Sequence, residues 1–222
     1  MNRNIKLTVG LCLLFVVLVL VLTYFRISRN SQGAAQAGSM SPEQLREVGA
    51  LVYDKPVPLS AFTLQDHDGQ PFTLDSLRGK WSLLFFGFTS CPDICPLTLN
   101  ELAKFYRSAA VEPFRSDTDI IMVSVDPLRD TQEKMAAYVT GFDPDFTGVR
   151  GDHAAISALA KELYVAHSSP PAAGASHDYL IDHSGNILVI NPQGDYHGFL
   201  ESSIKADNIG QAYREIRARY QD

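Results

Sequence analysis

An α/β sandwich is the fold class that this chain of 222 residues predicts. Three observations carry it: two uninterrupted apolar runs of strand length (Trp81 to Phe88 and Ile120 to Val125), a helical pattern after each, and a closing hairpin followed by an amphipathic helix. Composition agrees, since 45% hydrophobic and 20% charged residues form a globular balance that excludes disordered, collagen-like and coiled-coil chains. The length exceeds the ~150 residues of one typical domain without reaching two, so one core with appendages is expected.

The elements follow in chain order. Ser41-Pro42 offers an N-cap and a first helical position, opening a short helix through Leu45, Val48 and Leu51. Phe62 to Leu64 and Phe72 to Leu74 alternate about Asp66-His67-Asp68-Gly69, a hairpin signal. The run from Trp81 to Phe88 has the pattern of a strand buried on both faces. Pro96 to Ala110 reads as a helix with Leu97, Leu99, Leu102, Phe105 and Tyr106 inward, and Ile120 to Val125 as a second buried strand. Thr131 to Thr140 is a helix ended by Gly141, and Asp152 caps another reaching Tyr164. The last hairpin turns at Asn191-Pro192-Gln193-Gly194, and residues 205–219 form the terminal helix. This order is that of a thioredoxin-like sandwich carrying an extra N-terminal hairpin.

Ahead of the body stands a membrane signal. Leu7 to Phe25 is a run of 19 residues without a charge, long enough at about 1.5 Å per residue to nearly cross a hydrocarbon core of about 30 Å. A cleaved signal peptide is the rival, because Ala35-Gln36-Ala37 has the small-x-small form, yet that site lies 12 residues past the run. An uncleaved transmembrane helix is expected, with residues 1–6 cytoplasmic, 7–25 the anchor, 26–54 a tether and short helix, and 55–222 the folded domain. No Arg/Ser-rich presequence precedes the run, so the expected place is a bacterial inner membrane with the domain in the periplasm. The first 30 residues hold Arg3, Lys6, Arg26 and Arg29 and no acid, which leaves the body 15 basic against 25 acidic residues. An acidic body with no cationic stripe excludes nucleic acid as a partner.

Chemistry is sought at the cysteines. Cys12 sits in the apolar run, leaving Cys91 and Cys95 for the body. The run Gly87-Phe88-Thr89-Ser90-Cys91-Pro92-Asp93-Ile94-Cys95-Pro96 places both thiols between a buried strand and the mouth of a helix, with Cys95 near the N-cap. A helix N-terminus stabilises a thiolate, which is both nucleophile and metal ligand. Inert buried thiols or a static disulfide are the plain alternatives. Thioredoxin-type reductases have two residues between their cysteines, whereas three stand here, and the wider loop lets both sulphurs reach one ion. Two thiolates favour Cu(I) or Zn(II); one imidazole added completes a trigonal copper site but leaves zinc short of four ligands.

Six histidines are available for that role. His67 in a hairpin turn and His153 at a helix start suit the surface, His167 and His177 flank a Ser/Pro/Ala/Gly loop and are expected in solvent, and His197 alternates within the last strand. His183, in Asp182-His183-Ser184, stands where a thioredoxin-like chain passes its cysteine loop, although an ordinary turn histidine has the same spacing.

These residues together resemble the Sco/SenC family of copper-binding assembly proteins for cytochrome c oxidase. The likeness rests on Cys91-Pro92-Asp93-Ile94-Cys95-Pro96, on Val123-Ser124-Val125-Asp126-Pro127 with Arg129-Asp130-Thr131, and on Asp182-His183-Ser184, and it spans roughly residues 55–220. It implies copper, as Cu(I) or Cu(II), held by Cys91, Cys95 and His183, with an oxidase subunit carrying the CuA site as partner. A shifted register would instead leave Gly174 at the ligand position with His177 as a nearby substitute; the turn at Asn191 to Gly194 favours His183. Gly185-Asn186 departs from the family's apolar residues there, so a looser strand start is expected. Two function classes follow. One is a membrane-anchored metallochaperone. The other is a thiol-disulfide oxidoreductase, or a redox sensor, using Cys91 and Cys95 as a redox-active pair served by a thiol reductant or another copper chaperone.

Overall fold

The computed structural model describes residues 16–19, 21, 40–168 and 179–220. Most of the expected transmembrane segment, 7–25, and residues 26–39 of the expected tether lie outside these. Residues 16–19 and 21 are helical, and among the described residues no helix is long and apolar enough to cross a membrane. The compact unit that carries the cysteines runs from Met40 to Tyr220.

It opens with helix α1 (Pro42–Glu47), fixed by a capping box in which the Gln44 amide donates to Ser41 Oγ and the Ser41 amide to Gln44 Oε1. The apolar spacing predicts this helix as far as Leu51. It stops earlier because Gly49, at φ 85°, turns the chain, and strand β1 (Ala50–Val57) pairs antiparallel with the last strand. The expected hairpin is present as β2 (Thr63–Asp66) and β3 (Pro71–Thr73). Then come β4 (Trp81–Gly87), α2 (Ile94–Tyr106), β5 (Thr118–Ser124), α3 (Gln132–Thr140), β6 (Thr147–Arg150), α4 (His153–Glu162), β7 (Ile187–Ile190), β8 (Tyr196–Leu200) and α5 (Ala206–Arg219). Strands β1 and β6 were not foreseen: the first carries Asp54, Lys55 and Pro56, and the second is four residues of mixed character with no alternation to read.

One eight-stranded sheet has the order β1-β8-β7-β4-β5-β6-β2-β3, with β4, β5 and β6 parallel and the other pairings antiparallel. This is a thioredoxin-like α/β fold. Every residue of β4 is buried, and its side chains alternate between two cores. Trp81, Leu83 and Phe85 meet Leu99, Leu102 and Phe105 of α2, Met135 and Val139 of α3, and Tyr213 and Ile216 of α5. Leu84 and Phe86 face the opposite core, with Ile156 and Leu159 of α4. A sheet covered on both faces leaves the C-terminal ends of its parallel strands as the place where loops gather. The cysteine segment leaves from the end of β4.

Candidate metal centre

Helix α2 begins two residues before the position expected for it, with Asp93 at the N-cap and Ile94, Cys95 and Pro96 in the first turn. Proline costs nothing there, because the first-turn amides have no intrahelical acceptor. Cys95 therefore lies inside the helix rather than at its cap, and it is fully buried, whereas Cys91 on the preceding loop is partly exposed. Both are free thiols. The expected stabilisation of the Cys95 thiolate by the helix end is outweighed: burial pushes its pKa up, although a hydrogen bond with the Phe88 backbone works the other way. Gly87 makes room for the sulphur, since a Cβ at this position would stand 2.8 Å from Cys95 Sγ.

His183 reaches the same point from the far end of the chain. A short antiparallel bridge pairs it with His167, made by the Ser168 amide donating to the Asp182 carbonyl and the Ser184 amide to the Ala166 carbonyl, each at 2.8 Å. The ring's Nδ1–H donates to the Ser184 carbonyl at 3.2 Å, which leaves the Nε2 lone pair 3.4 Å from Cys95 Sγ. That carbonyl, not the Asp182 carboxylate, orients the ring. Burial pulls the His183 pKa below its ordinary value and so favours the neutral, ligating form. Phe88 packs edge-on against the imidazole with 5.8 Å between centroids. Gly185 seals the approach: a Cβ on it would lie 2.9 Å from Ser202 Cβ and 3.1 Å from Ile94, so this segment packs tightly against the first turn of α2 rather than loosely as the sequence suggested.

The donor atoms of Cys91, Cys95 and His183 all lie within 4.8 Å of one another. A trigonal ion with bonds of 2.0–2.3 Å needs donors roughly 3.5–4 Å apart, so a contraction of at most about 1.3 Å would close the set. The residues present thus fit a three-coordinate soft ion, two sulphurs and one nitrogen, and among the described residues no fourth His, Cys, Asp or Glu donor joins the cluster.

Behind the three candidate donors stands a polar scaffold that only the resemblance pointed to. Asp130 is fully buried and accepts from the Thr89 amide at 3.1 Å, the Thr89 hydroxyl at 2.6 Å and the Ser124 hydroxyl, tying the turn before Cys91 to β5. Burial raises the Asp130 pKa, opposed by these hydrogen bonds. Asp126 accepts from the Tyr179 hydroxyl at 2.7 Å and pairs with Arg129, whose guanidinium lies 3.6 Å from the Tyr179 ring centroid. The segment that delivers His183 is thereby fastened at its start.

The other histidines fall elsewhere. His67, expected at the surface, accepts the Gly148 amide on Nδ1 at 2.9 Å and ties the hairpin turn to β6. His197 is buried against Trp81 with centroids 5.5 Å apart. His153 and His167, also expected in solvent, are half-buried and stack edge-to-face. His177 lies outside the described residues. The turn foreseen at Asn191 to Gly194 does join β7 to β8, closed by the Gly194 amide on the Asn191 carbonyl at 2.9 Å.

Comparison with known proteins bears on the same segments. A family model described as SCO1/SenC matches residues 54–218. An SCO2-like protein of Rickettsia felis is 32% identical over 168 residues, covering 74% of this chain and 81% of its own length. The mitochondrial protein SCO2 homolog of Mus musculus is 36% identical over 159 residues; the match covers 72% of this chain and only 62% of that protein. The crystal structure of Arabidopsis thaliana ScoI with copper bound superposes with a TM-score of 0.65 at 31% identity, over 72% of this chain and 98% of that one.

Proposed function

This chain belongs to the SCO1/SenC family, and on that footing we propose that it is a copper metallochaperone that holds copper through Cys91, Cys95 and His183 and serves the assembly of cytochrome c oxidase at its CuA site. The observation that carries the reading is the convergence of two thiols and one neutral imidazole, within 4.8 Å, at the mouth of α2. Two sulphurs and a nitrogen satisfy Cu(I) and leave zinc a ligand short. Copper here is cargo, and the asymmetry of the site suits release: Cys95 is enclosed while Cys91 lies at the rim, where an incoming thiolate of a client can take its place. Beside Cys91 opens a cleft lined by Ser90, Pro92, Leu128, Arg129, Tyr179 and Leu180, and the exposed Leu128 and Leu180 offer apolar contact to a protein partner.

The charge-free run from Leu7 to Phe25 supports an uncleaved anchor that holds residues 55–222 in the periplasm. On this reading the protein resists carbonate extraction and keeps its own N-terminus; a mature form beginning near Gly38 contradicts it.

The pairing of a buried with a partly exposed thiol also suits dithiol–disulfide exchange, so a reductase acting on oxidase-subunit cysteines is the second reading. His183→Ala separates the two, because a dithiol still exchanges disulfides without the imidazole. The metallochaperone reading expects cells carrying His183→Ala to lose oxidase under scarce copper; normal oxidase in such cells makes the role redox.

A further inference from the structure

A second group of nitrogen donors lies outside the cysteine centre. His153 opens α4 behind its Asp152 cap, Ser157 stands one turn later, and His167 follows on the short bridge. Ser157 Oγ is 3.5 Å from His153 Nε2 and 3.3 Å from His167 Nε2, and the rings meet edge-to-face with centroids 5.7 Å apart at 85°. His167 Nδ1–H donates to the Ser168 carbonyl at 3.3 Å, which leaves its Nε2 with a lone pair, as in His183. His153 Nδ1 is buried with no hydrogen-bond partner among the described residues, so no neighbour fixes the tautomer of that ring. Two imidazoles thus aim at one hydroxyl from a helix and from the bridge segment, both rings half-buried.

The geometry points to a second metal site, made by His153 Nε2 and His167 Nε2 with Ser157 Oγ between them, that takes Cu(II). Each Nε2 lies within 3.5 Å of the same oxygen, so small ring rotations bring both to bonding distance of one ion. Imidazole and oxygen donors suit Cu(II), whose tetragonal sphere water completes, and Cu(II) binds such donors more tightly than Ni(II) or Zn(II). With no thiolate in the set, Cu(I) is not favoured. A metal here would join α4 to the segment at His167 that faces His183 across the bridge.

The test uses the full chain in detergent carrying Cys91→Ser, Cys95→Ser and His183→Ala, so that the result is independent of the cysteine centre. Cu(II) is added as the sulphate and followed by electron paramagnetic resonance and by competition with a chelator. One Cu(II) per chain is expected, with hyperfine structure from two nitrogens. His153→Gln and His167→Gln should each weaken it at least tenfold, and together abolish it, with circular dichroism unchanged. Histidine-selective 15N NMR on the unsubstituted rings, with Zn(II) as a diamagnetic probe, should move the Nε2 signals of His153 and His167 first. Undiminished Cu(II) binding in the double variant, no retained Cu(II), or first shifts at other histidines overturns the proposal.

Discussion

Cys95 Sγ and His183 Nε2 stand 3.4 Å apart although 88 positions separate them in the chain. The two reach each other because β4 and β7 are antiparallel neighbours, so the loop that leaves the end of β4 and the segment that enters β7 meet at the same end of the sheet. The fold itself therefore supplies the site's geometry, and the local residues supply its chemistry.

The closeness of Gly87 to Cys95 gives a sharp consequence. Gly87→Ala would place a Cβ 2.8 Å from the sulphur and 2.9 Å from Phe85, so it is expected to cost about 1–3 kcal/mol of stability through overpacking. It should also displace Cys95 and weaken Cu(I) retention, whereas Gly79→Ala, where a Cβ meets nothing within 4 Å but φ is 82°, should lose stability alone. Urea unfolding and Cu(I) competition on the same samples check both.

Asp130 is expected to matter without touching metal. In Asp130→Asn an amide NH2 would face one of the three donors now satisfied by the carboxylate, so about 1–3 kcal/mol of stability should be lost. With the turn before Cys91 loosened, copper affinity should fall about tenfold, the lower end of the range for loss of a ligand's own hydrogen-bond partner, because Asp130 holds Thr89 and not a ligand. Retained affinity with lost stability would confine Asp130 to folding.

Acid stability follows from the buried imidazoles. Burial depresses the pKa of His197, and of His183, in the folded chain below the ordinary 6.5. The unfolded chain then takes up protons that the folded one refuses, so the metal-free protein should keep its full stability above about pH 6.5 and lose it as pH falls through the depressed values, at up to ~1.4 kcal/mol per pH unit per histidine. His197→Phe, which keeps the packing on Trp81, should flatten that slope in unfolding curves taken between pH 7.5 and 5.

Much of this was legible in the sequence, for physical reasons. The runs at Trp81 and Ile120 announce strands buried on both faces, and Cys91 with Cys95 beside two prolines marks a chemical loop. Strand β1 is not legible as a strand, because Asp54, Lys55 and Pro56 break any alternation and its pairing with β8 is set by tertiary contact. The electrostatics of Cys95 were misjudged for a similar reason: the helix end is visible in sequence, but the depth at which Phe85 and Gly87 enclose the sulphur is not. Nor does spacing show that His153 and His167, fourteen positions apart, share Ser157.

The most direct test of the central claim is X-ray absorption at the copper edge on the full chain loaded anaerobically with one equivalent of Cu(I). Two sulphurs near 2.2–2.3 Å and one nitrogen near 2.0 Å are expected by analogy with other thiolate and imidazole sites, with the nitrogen gone and affinity at least tenfold lower in His183→Ala. A sulphur-only shell in the parent chain, or a nitrogen that persists in His183→Ala, would contradict the account.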